Sequence, residues 1–236
     1  MPCFFCLGQT EHQSTNNSIE IITGLPKPPF IIEGAKTGLQ LDLFKAAFSS
    51  DYSIKFVPVP LGRNITSYQR MNVNGIAILP KGYQHPNMHV SKPYIVYQNV
   101  AISLAESNFT IESLDDLSGK SVAAFQNARK YLGDAYLNVI NSSLEYREIA
   151  DQMKQVDMLF LHRTEVIILD INIFKYFMKT HSTGRFSQPY NVHYIFNERP
   201  YSAAFKVEKN RDLFDQGINI IKQQGRYQLI MDKYLK

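Results

Sequence analysis

The stretch "TGLPKPPFIIEGAKTGLQLDLF", residues 23–44, joins a predicted strand to a predicted helix through two adjacent prolines. The segment "SIEIITGL" (18–25) alternates apolar and polar residues in the pattern of a β-strand. Pro28 and Pro29 exclude helix where they stand, so the connection between the strand and the helix is extended. It lies at the carboxyl end of the strand, which is the end where ligands bind in open α/β sheets.

The segment after the prolines, "TGLQLDLFKAAF" (37–48), has the period of an amphipathic helix. Its apolar residues are Leu39, Leu43, Phe44, Ala47 and Phe48. Thr37 and Gln40 have the spacing of a capping box, in which two side chains bond to backbone N–H groups at a helix start. The sequence therefore predicts a helix that begins next to Thr37 and buries one face.

The alternation of strands and amphipathic helices continues along the chain. Further strands are predicted at residues 54–61, 75–80, 99–106 and 201–207. Residues 110–125 are predicted as a short helix, a glycine turn and a strand, and residues 165–179 as a strand that runs into a helix. Helices are predicted from Asn127 to residue 140 and, split at Gly225, over the C-terminal segment. This alternation predicts an α/β fold with parallel strand pairs, and its restart near the middle of the chain predicts two lobes.

The composition predicts a globular protein. The chain has 236 residues, of which 44% are hydrophobic and 19% are charged, so it can bury a large core. Its formal net charge of +4 comes from basic residues that are scattered singly, which argues against nucleic-acid binding. The longest apolar run, "VIILDI" (166–171), is broken by Asp170 and is much shorter than the roughly 20 residues of a transmembrane helix.

The first 17 residues differ from the rest of the chain because they hold both cysteines, Cys3 and Cys6. An apolar run that ends in small residues near Gly8 is typical of an export signal, and it predicts a mature chain that begins at Gln9. We therefore expect a signal-peptide remnant and a flexible N-terminus here, and a periplasmic mature protein. The alternative is a flexible cytosolic N-terminus. A zinc or redox role for the cysteine pair is disfavoured, because the sequence shows neither a second ligand pair nor a preceding strand to carry the motif.

The sequence contains no evident reactive constellation. The histidines beyond the N-terminal segment are spread out as His85, His89, His162, His181 and His193. They lack the spacing of metal ligands, and neither a G-x-S-x-G elbow nor a phosphate-binding glycine loop occurs. We therefore predict a protein that is not an enzyme, with no catalytic residue, no metal and no cofactor.

Six motifs follow one another in the order of a known family. They are "PPF" (28–30), "TGLQLDL" (37–43), "VSKPYI" (90–95), "DLSGKSVAAF" (116–125), "RTEVIILD" (163–170) and "IIKQQGRYQLIMDKYL" (220–235). As a set they resemble the bacterial extracellular solute-binding proteins of the amino-acid type (family 3), the substrate-binding proteins of ABC transporters. The resemblance covers nearly all of the chain past residue 18.

The resemblance implies a division of the chain that periodicity alone does not give. Lobe 1 would hold residues 18–101 and 203–236, and lobe 2 would hold residues 102–202. The chain would cross between the lobes near Ala101–Ser103 and near Arg199–Ala203. Family members bind their ligand between the lobes, and the lobes close by a hinge motion.

The resemblance also implies ligand contacts. Asp170 stands where the family has the acid that accepts the ligand ammonium. Asn127 and Ala128 stand where a helix start offers backbone N–H groups to the ligand carboxylate. Phe30 and Tyr94, from the "PPF" and "PY" motifs, are further candidates. The alternatives are a cap role for Asp170 and packing roles for the two aromatic residues.

Two positions depart from the family pattern. Gln84 stands where many members have the arginine that clamps the ligand α-carboxylate, and an amide offers no charge. Lys27 replaces an aromatic side chain that stacks on the ligand. With Asp170 kept, these changes favour a ligand with a cationic amine. Alternatively, Lys27 supplies the missing positive charge and ordinary amino acids stay candidates, or both residues are loop residues at the surface.

The resemblance thus implies non-enzymatic binding of a small polar solute, an amino acid or an amine-like compound, in a cleft between two lobes. The expected partners are this small-molecule ligand and a membrane permease of the ABC type or a sensor protein, and the expected state is a monomer. The alternatives are a ligand-sensing or degenerate binding domain that acts through a partner protein, or an enzyme on the same fold.

Overall fold

The computed structural model of the protein describes residues 17–32, 36–80, 82–180 and 186–236, so the predicted signal-peptide remnant lies outside the described residues. The strands are β1 Asn17–Thr23, β2 Tyr52–Pro58, β3 Gly75–Pro80, β4 His89–Val90, β5 Ile95–Tyr97, β6 Asn99–Leu104, β7 Ser121–Phe125, β8 Glu145–Ile149, β9 Val166–Asp170, β10 Tyr190–His193 and β11 Arg199–Phe205. The helices are α1 Leu39–Ala46, α2 Asn64–Arg70, α3 Ala128–Leu132, α4 Asp134–Ile140, α5 Gln152–Phe160, α6 Ile171–Thr180, α7 Glu208–Gln223 and α8 Arg226–Leu235.

The first sheet has the strand order β2-β1-β3-β11-β4, and β5 also pairs with β11. Strand β1 runs parallel to β2 and β3, whereas β11 runs antiparallel to β3, β4 and β5. Helices α1 and α7 cover this sheet through an aromatic cluster. In this cluster the Phe214 ring centroid lies 4.7 Å from that of Phe44 and 5.4 Å from that of Phe205.

The second sheet has the strand order β10-β6-β9-β7-β8. Strand β7 runs parallel to β8 and β9, and β6 runs antiparallel to β9 and β10. Every residue of β9 is buried because the strand is covered on both faces. Ile167 packs in the same cluster as Phe174 of α6, whereas Ile168 packs in the same cluster as Tyr136 of α4. Two sheets flanked by helices confirm the predicted α/β class.

The chain passes from the first sheet to the second at Gln98, between β5 and β6, and returns through residues 194–198, between β10 and β11. A hydrogen bond joins the two passages, because the side-chain Nε2 of Gln98 donates to the carbonyl oxygen of Phe196 at 2.8 Å. The segments expected to cross, 101–103 and 199–203, lie a few residues later, inside the paired strands β6 and β11. Apolar periodicity marks these strands but does not say where the chain changes sheet.

Helix α1 buries the predicted apolar face, since Leu39, Leu43, Phe44, Ala47 and Phe48 are all buried. The capping-box prediction is wrong, because the helix begins after Gly38 and no side chain caps it. The Thr37 hydroxyl instead hydrogen-bonds the Tyr234 hydroxyl of α8 at 2.7 Å. Gln40 is fully buried, and its Oε1 accepts a hydrogen bond from the Tyr97 hydroxyl at 3.3 Å. Tertiary contacts have taken both side chains away from the helix start.

Two glycines shape the helices. Gly133, with φ of 89°, separates α3 from α4, so the single helix predicted from Asn127 to residue 140 is two helices. Gly217 lies where α7 meets the end of α1, and a Cβ there would be 1.7 Å from the carbonyl oxygen of Ala47. Within the described ranges, no helix is long and apolar enough to cross a membrane.

Candidate functional site

A cleft of about 740 Å³ opens between the two sheets. It is lined by residues at or just beyond the carboxyl ends of parallel strands from both sheets, the position at which open α/β sheets bind ligands. These residues are 24–27 after β1, Pro60, Gly62 and Arg63 after β2, 125–127 at the end of β7, Ala150 and Gln152 after β8, and Asp170 at the end of β9. Residues 24–27 and Ile31, from the proline-containing segment after β1, therefore form one wall of this cleft.

A tight turn brings Lys27 into the cleft. The backbones of Lys27 and Ile31 exchange two hydrogen bonds of 2.8 and 3.0 Å around the cis Pro28-Pro29 bond. Phe30 and Ile31 are buried, so the turn is anchored to the hydrophobic core. Lys27 is directed from this anchored turn toward the space between the sheets, where it lines the cleft.

Tyr97, at the end of β5, is the aromatic residue beneath Lys27. Its ring stacks on Phe30 with centroids 3.9 Å apart and an interplanar angle of 17°. The Lys27 ammonium lies over the same ring at 4.5 Å from its centroid, a cation–π contact. Burial raises the pKa of the Tyr97 hydroxyl well above its ordinary value, so the group stays protonated and donates to Gln40.

Asp170 lies at the end of β9 with only 2% of its surface exposed. Its Oδ2 accepts the N–H of Gln98 at 2.7 Å, and its Oδ1 accepts the N–H groups of Asn172 at 2.8 Å and Ile173 at 3.3 Å. The carboxylate thus caps the start of α6 and holds the first passage between the sheets. The cap role considered from the sequence is present, and Asp170 also lines the cleft.

The charges of Lys27 and Asp170 influence each other. Burial lowers the pKa of Lys27 to about 8, and the Asp170 charge opposes this shift. Burial also raises the pKa of Asp170 to about 6, against the lowering effect of its three backbone donors and of Lys27. Both groups are therefore mainly charged at neutral pH.

Two arginines add positive charge to the cleft. Arg63 follows β2 and is exposed, and within the described part of the chain its guanidinium has no hydrogen-bond or ion-pair partner. Arg199 begins β11, and its Nη1 donates to the carbonyl oxygen of Tyr131 on α3. This bond joins an element of the first sheet to an element packed beside the second, and Tyr131 and Tyr201 also line the cleft.

Of the residues singled out from the sequence, Lys27, Asp170 and Asn127 line the cleft. The Asn127 N–H is already used, because it donates to Glu148 Oε2 at 2.7 Å. Ala128, at the start of α3, is fully buried in the core of lobe 2. The ligand-binding roles of these residues stay predictions.

The other three candidates lie outside the cleft. Phe30 is fully buried behind Tyr97, and Tyr94 is buried with its hydroxyl donating to the carbonyl of Ala77 at 2.7 Å. Gln84 is exposed and lines a separate surface depression together with His85. Phe30 and Tyr94 have the packing roles that were the alternative for the two motifs. Gln84 lines the separate depression and not the cleft.

Other polar residues also line the cleft, and the sequence did not indicate them as ligand contacts. They are Gln40, Arg63, Tyr97, Asn99, Gln126, Tyr131, Gln152, Arg199 and Tyr201. Arg63, Gln126 and Gln152 follow strand ends. The strand-end rule that indicated the proline segment would therefore have found them had it been applied to every strand. Tyr97 and Arg199 stand beside the passages between the sheets. The resemblance implied a crossing near Arg199, but it assigned neither residue to the ligand site.

One polar pair outside the cleft has the composition of a reactive site. Ser103 Oγ lies 2.9 Å from His193 Nε2, but Ser103 is fully buried in β6, where no substrate reaches its hydroxyl. Among the residues that the structure describes, no group of three or more His, Cys, Asp or Glu residues is arranged to hold a metal ion. The cleft therefore remains the strongest candidate site.

No family model and no curated protein sequence matches this chain. Its structure is nevertheless similar to that of the GluR0 ligand-binding core in complex with L-glutamate, with a TM-score of 0.74, 16% identity and coverage of 94% of this chain and 100% of that chain. An ABC uptake transporter substrate-binding protein from Streptococcus pneumoniae with bound histidine has a TM-score of 0.73, 16% identity and coverage of 94% and 93%. An ancestral amino-acid-binding protein, a precursor of cyclohexadienyl dehydratase, has a TM-score of 0.71, 16% identity and coverage of 93% and 96%.

These likenesses extend over nearly the whole chain and include both sheets with their flanking helices. At such low identity they establish architecture and leave the ligand open. The protein therefore has the two-lobed α/β fold of periplasmic amino-acid-binding proteins.

Proposed function

We propose that the protein binds a small polar solute of amino-acid size in the cleft between its sheets and releases it unchanged. The observation that carries this proposal is the cleft itself, which collects charged side chains of both signs at the carboxyl ends of strands from two separate sheets. Its volume of about 740 Å³ lies within the roughly 300–1,000 Å³ of small-molecule sites.

The lining supports binding of a polar rather than an apolar molecule. Lys27, Arg63, Arg199 and Asp170 supply charge, and Tyr97 supplies an aromatic ring with a hydroxyl group. Hydrogen bonds from such charged side chains orient a ligand and exclude molecules that lack the matching groups. Solved neighbours of the same fold carry L-glutamate or histidine, which are solutes of the size proposed here.

Binding without chemistry is favoured over catalysis. A catalytic site needs a nucleophile or a general base within reach of the substrate. The one acid among the described cleft residues, Asp170, spends three acceptor positions on backbone N–H groups. In the Ser103–His193 pair, which joins β6 to β10, the Ser103 hydroxyl group belongs to a fully buried residue. An enzyme on this fold would have to use Lys27, which is mainly protonated at neutral pH because its pKa is about 8.

The wider role that we propose is solute uptake with an ABC-type membrane permease after export to the periplasm. A sensing domain that acts through a partner protein would use the same cleft, so the cleft does not separate the two roles. A permease gene beside the gene for this protein would support uptake, and a neighbouring signalling gene would support sensing.

A thermal-shift screen of the full chain tests solute binding. The screen includes amino acids, dicarboxylates, polyamines, nucleosides and small peptides, and calorimetry follows for each hit. A ligand at a hundred times its dissociation constant adds about 2.7 kcal/mol to the free energy of unfolding, which the screen detects.

Two matched glutamines locate the binding. Gln126 and Gln84 are both exposed, but only Gln126 lines the cleft. Gln126→Ala should weaken the binding of a hit by about two- to tenfold, the value of one hydrogen bond, and Gln84→Ala should not change it. A screen without hits, or hits that are weakened by Gln84→Ala alone, would contradict the proposal.

A further inference from the structure

The ammonium group of Lys27 occupies the place where a ligand amine would be expected, on an aromatic face near a buried carboxylate. Its nitrogen lies 4.5 Å from the centroid of the Tyr97 ring. Phe30 stacks on the same ring with centroids 3.9 Å apart, which leaves no room for a cation between the two rings. Lys27 therefore covers the opposite face of Tyr97, which is the face that a ligand could otherwise contact.

Asp170 has little capacity left for a ligand ammonium. A carboxylate has about four acceptor positions, and three backbone N–H groups, from Gln98, Asn172 and Ile173, already use three of them. Lys27 is the cation whose charge acts on the Asp170 carboxylate. The negative charge of the cleft is thus compensated by groups that belong to the protein.

The remaining charge of the cleft is positive. Among the described residues that line it, Lys27, Arg63 and Arg199 are cations and Asp170 is the one acid, so the side chains carry two positive charges in excess. Arg63 is exposed and has no protein partner within the described residues. A guanidinium binds a carboxylate through two parallel hydrogen bonds, so Arg63 is suited to hold a ligand anion.

We infer that Lys27 is a tethered cation that fills the amine position of the cleft, so that the protein binds small carboxylates, dicarboxylates in particular, in preference to amino acids with the same carbon skeleton. The inference rests on the proposed function, because it names the class of solute for the same cleft. A ligand ammonium would meet Lys27 in place of a free acid, and like charges repel. The inference differs from the amine preference that the sequence favoured, and it extends the alternative in which Lys27 supplies the positive charge of the cleft.

Matched pairs of small molecules test the inference. Succinate and aspartate, and glutarate and glutamate, differ only by the α-ammonium group. Calorimetry with the full chain should show each dicarboxylate binding at least about tenfold more tightly than its amino acid, and 1,5-diaminopentane not binding. Lys27→Met removes the charge and keeps an unbranched side chain that is one atom shorter. In this variant the ratio of the two dissociation constants should shift by about tenfold toward the amino acid.

The control is Lys55→Met, which removes an exposed lysine on β2 and should leave the ratio unchanged. A wild-type protein that prefers the amino acids, or a ratio that Lys27→Met leaves unchanged, would overturn the inference. If other solutes bind in the cleft with sensitivity to Gln126→Ala but the dicarboxylates do not, the inference fails and solute binding stands. If nothing binds, both proposals fail.

Discussion

The Lys27 ammonium and the Tyr97 ring form a cation–π contact of 4.5 Å inside the cleft, and burial lowers the pKa of this lysine to about 8. Because the ordinary value of 10.5 applies to the unfolded chain, the unfolded chain binds more protons than the folded chain between pH 8 and pH 10.5. The contribution of Lys27 to the free energy of unfolding therefore becomes more stabilising as the pH rises through this range.

We expect the wild-type protein to gain about 1–2 kcal/mol of stability relative to Lys27→Met between pH 8 and pH 10, a value reduced for partial exposure of the side chain. Denaturant unfolding at several pH values measures this difference. Lys55→Met is the control, and its difference from wild type should stay constant over the same range. A constant difference for Lys27→Met would show that its ammonium is fully hydrated.

Arg63 should contribute directly to the affinity for an anionic ligand. Hydrogen bonds to charged groups contribute about 1.5–3 kcal/mol, so Arg63→Gln should weaken the binding of a carboxylate by roughly 10- to 150-fold. Arg70, an exposed arginine at the end of α2 that does not line the cleft, provides the control Arg70→Gln. Calorimetry with the tightest dicarboxylate compares the variants. Equal losses in both would indicate general attraction by net charge.

Tyr94 should affect stability and not affinity. Its hydroxyl donates to the carbonyl of Ala77 next to the shift in strand register between Ser202 and Ala204, where the ladder between β3 and β11 is irregular. Tyr94→Phe leaves that buried carbonyl without its partner, so we expect a loss of about 1–2 kcal/mol in the free energy of unfolding. Solute affinity, measured by calorimetry, should stay within about twofold of wild type. A larger change in affinity would show that Tyr94 contributes to ligand binding.

Gly217 should not tolerate a side chain. Replacement of glycine by alanine in a helix normally stabilises a protein by about 0.4–1 kcal/mol. At Gly217 the added Cβ would lie 1.7 Å from the Ala47 carbonyl oxygen, so α7 must move away from α1. We expect Gly217→Ala to lower the free energy of unfolding by about 1–3 kcal/mol.

Gly62→Ala is the matched control for this substitution, because a Cβ at Gly62 meets no atom within 4 Å. Thermal and denaturant unfolding should show a change of less than about 0.5 kcal/mol for it. A Gly217→Ala protein as stable as wild type would mean that the two helices can separate without loss.

Local patterns in the sequence determined much of the fold. The alternation in β1, the apolar face of α1 and the prolines between them act through neighbouring residues, so periodicity suffices to recognise them. The resemblance of the motifs to a known family indicated Lys27, which follows β1, and Asp170, which ends β9, and both line the cleft. Strand ends are local features, and a ligand site at the ends of parallel strands follows from the topology.

Only the tertiary structure decided which distant residues share the cleft and what their side chains do there. Thr37 and Gln40 have the spacing of a capping box, but Tyr234 and Tyr97 provide their hydrogen-bond partners. Arg199 reaches the carbonyl of Tyr131, a contact between residues 68 positions apart. Such contacts depend on how two sheets pack and where the chain passes between them, and a periodic pattern within one segment carries no information about either.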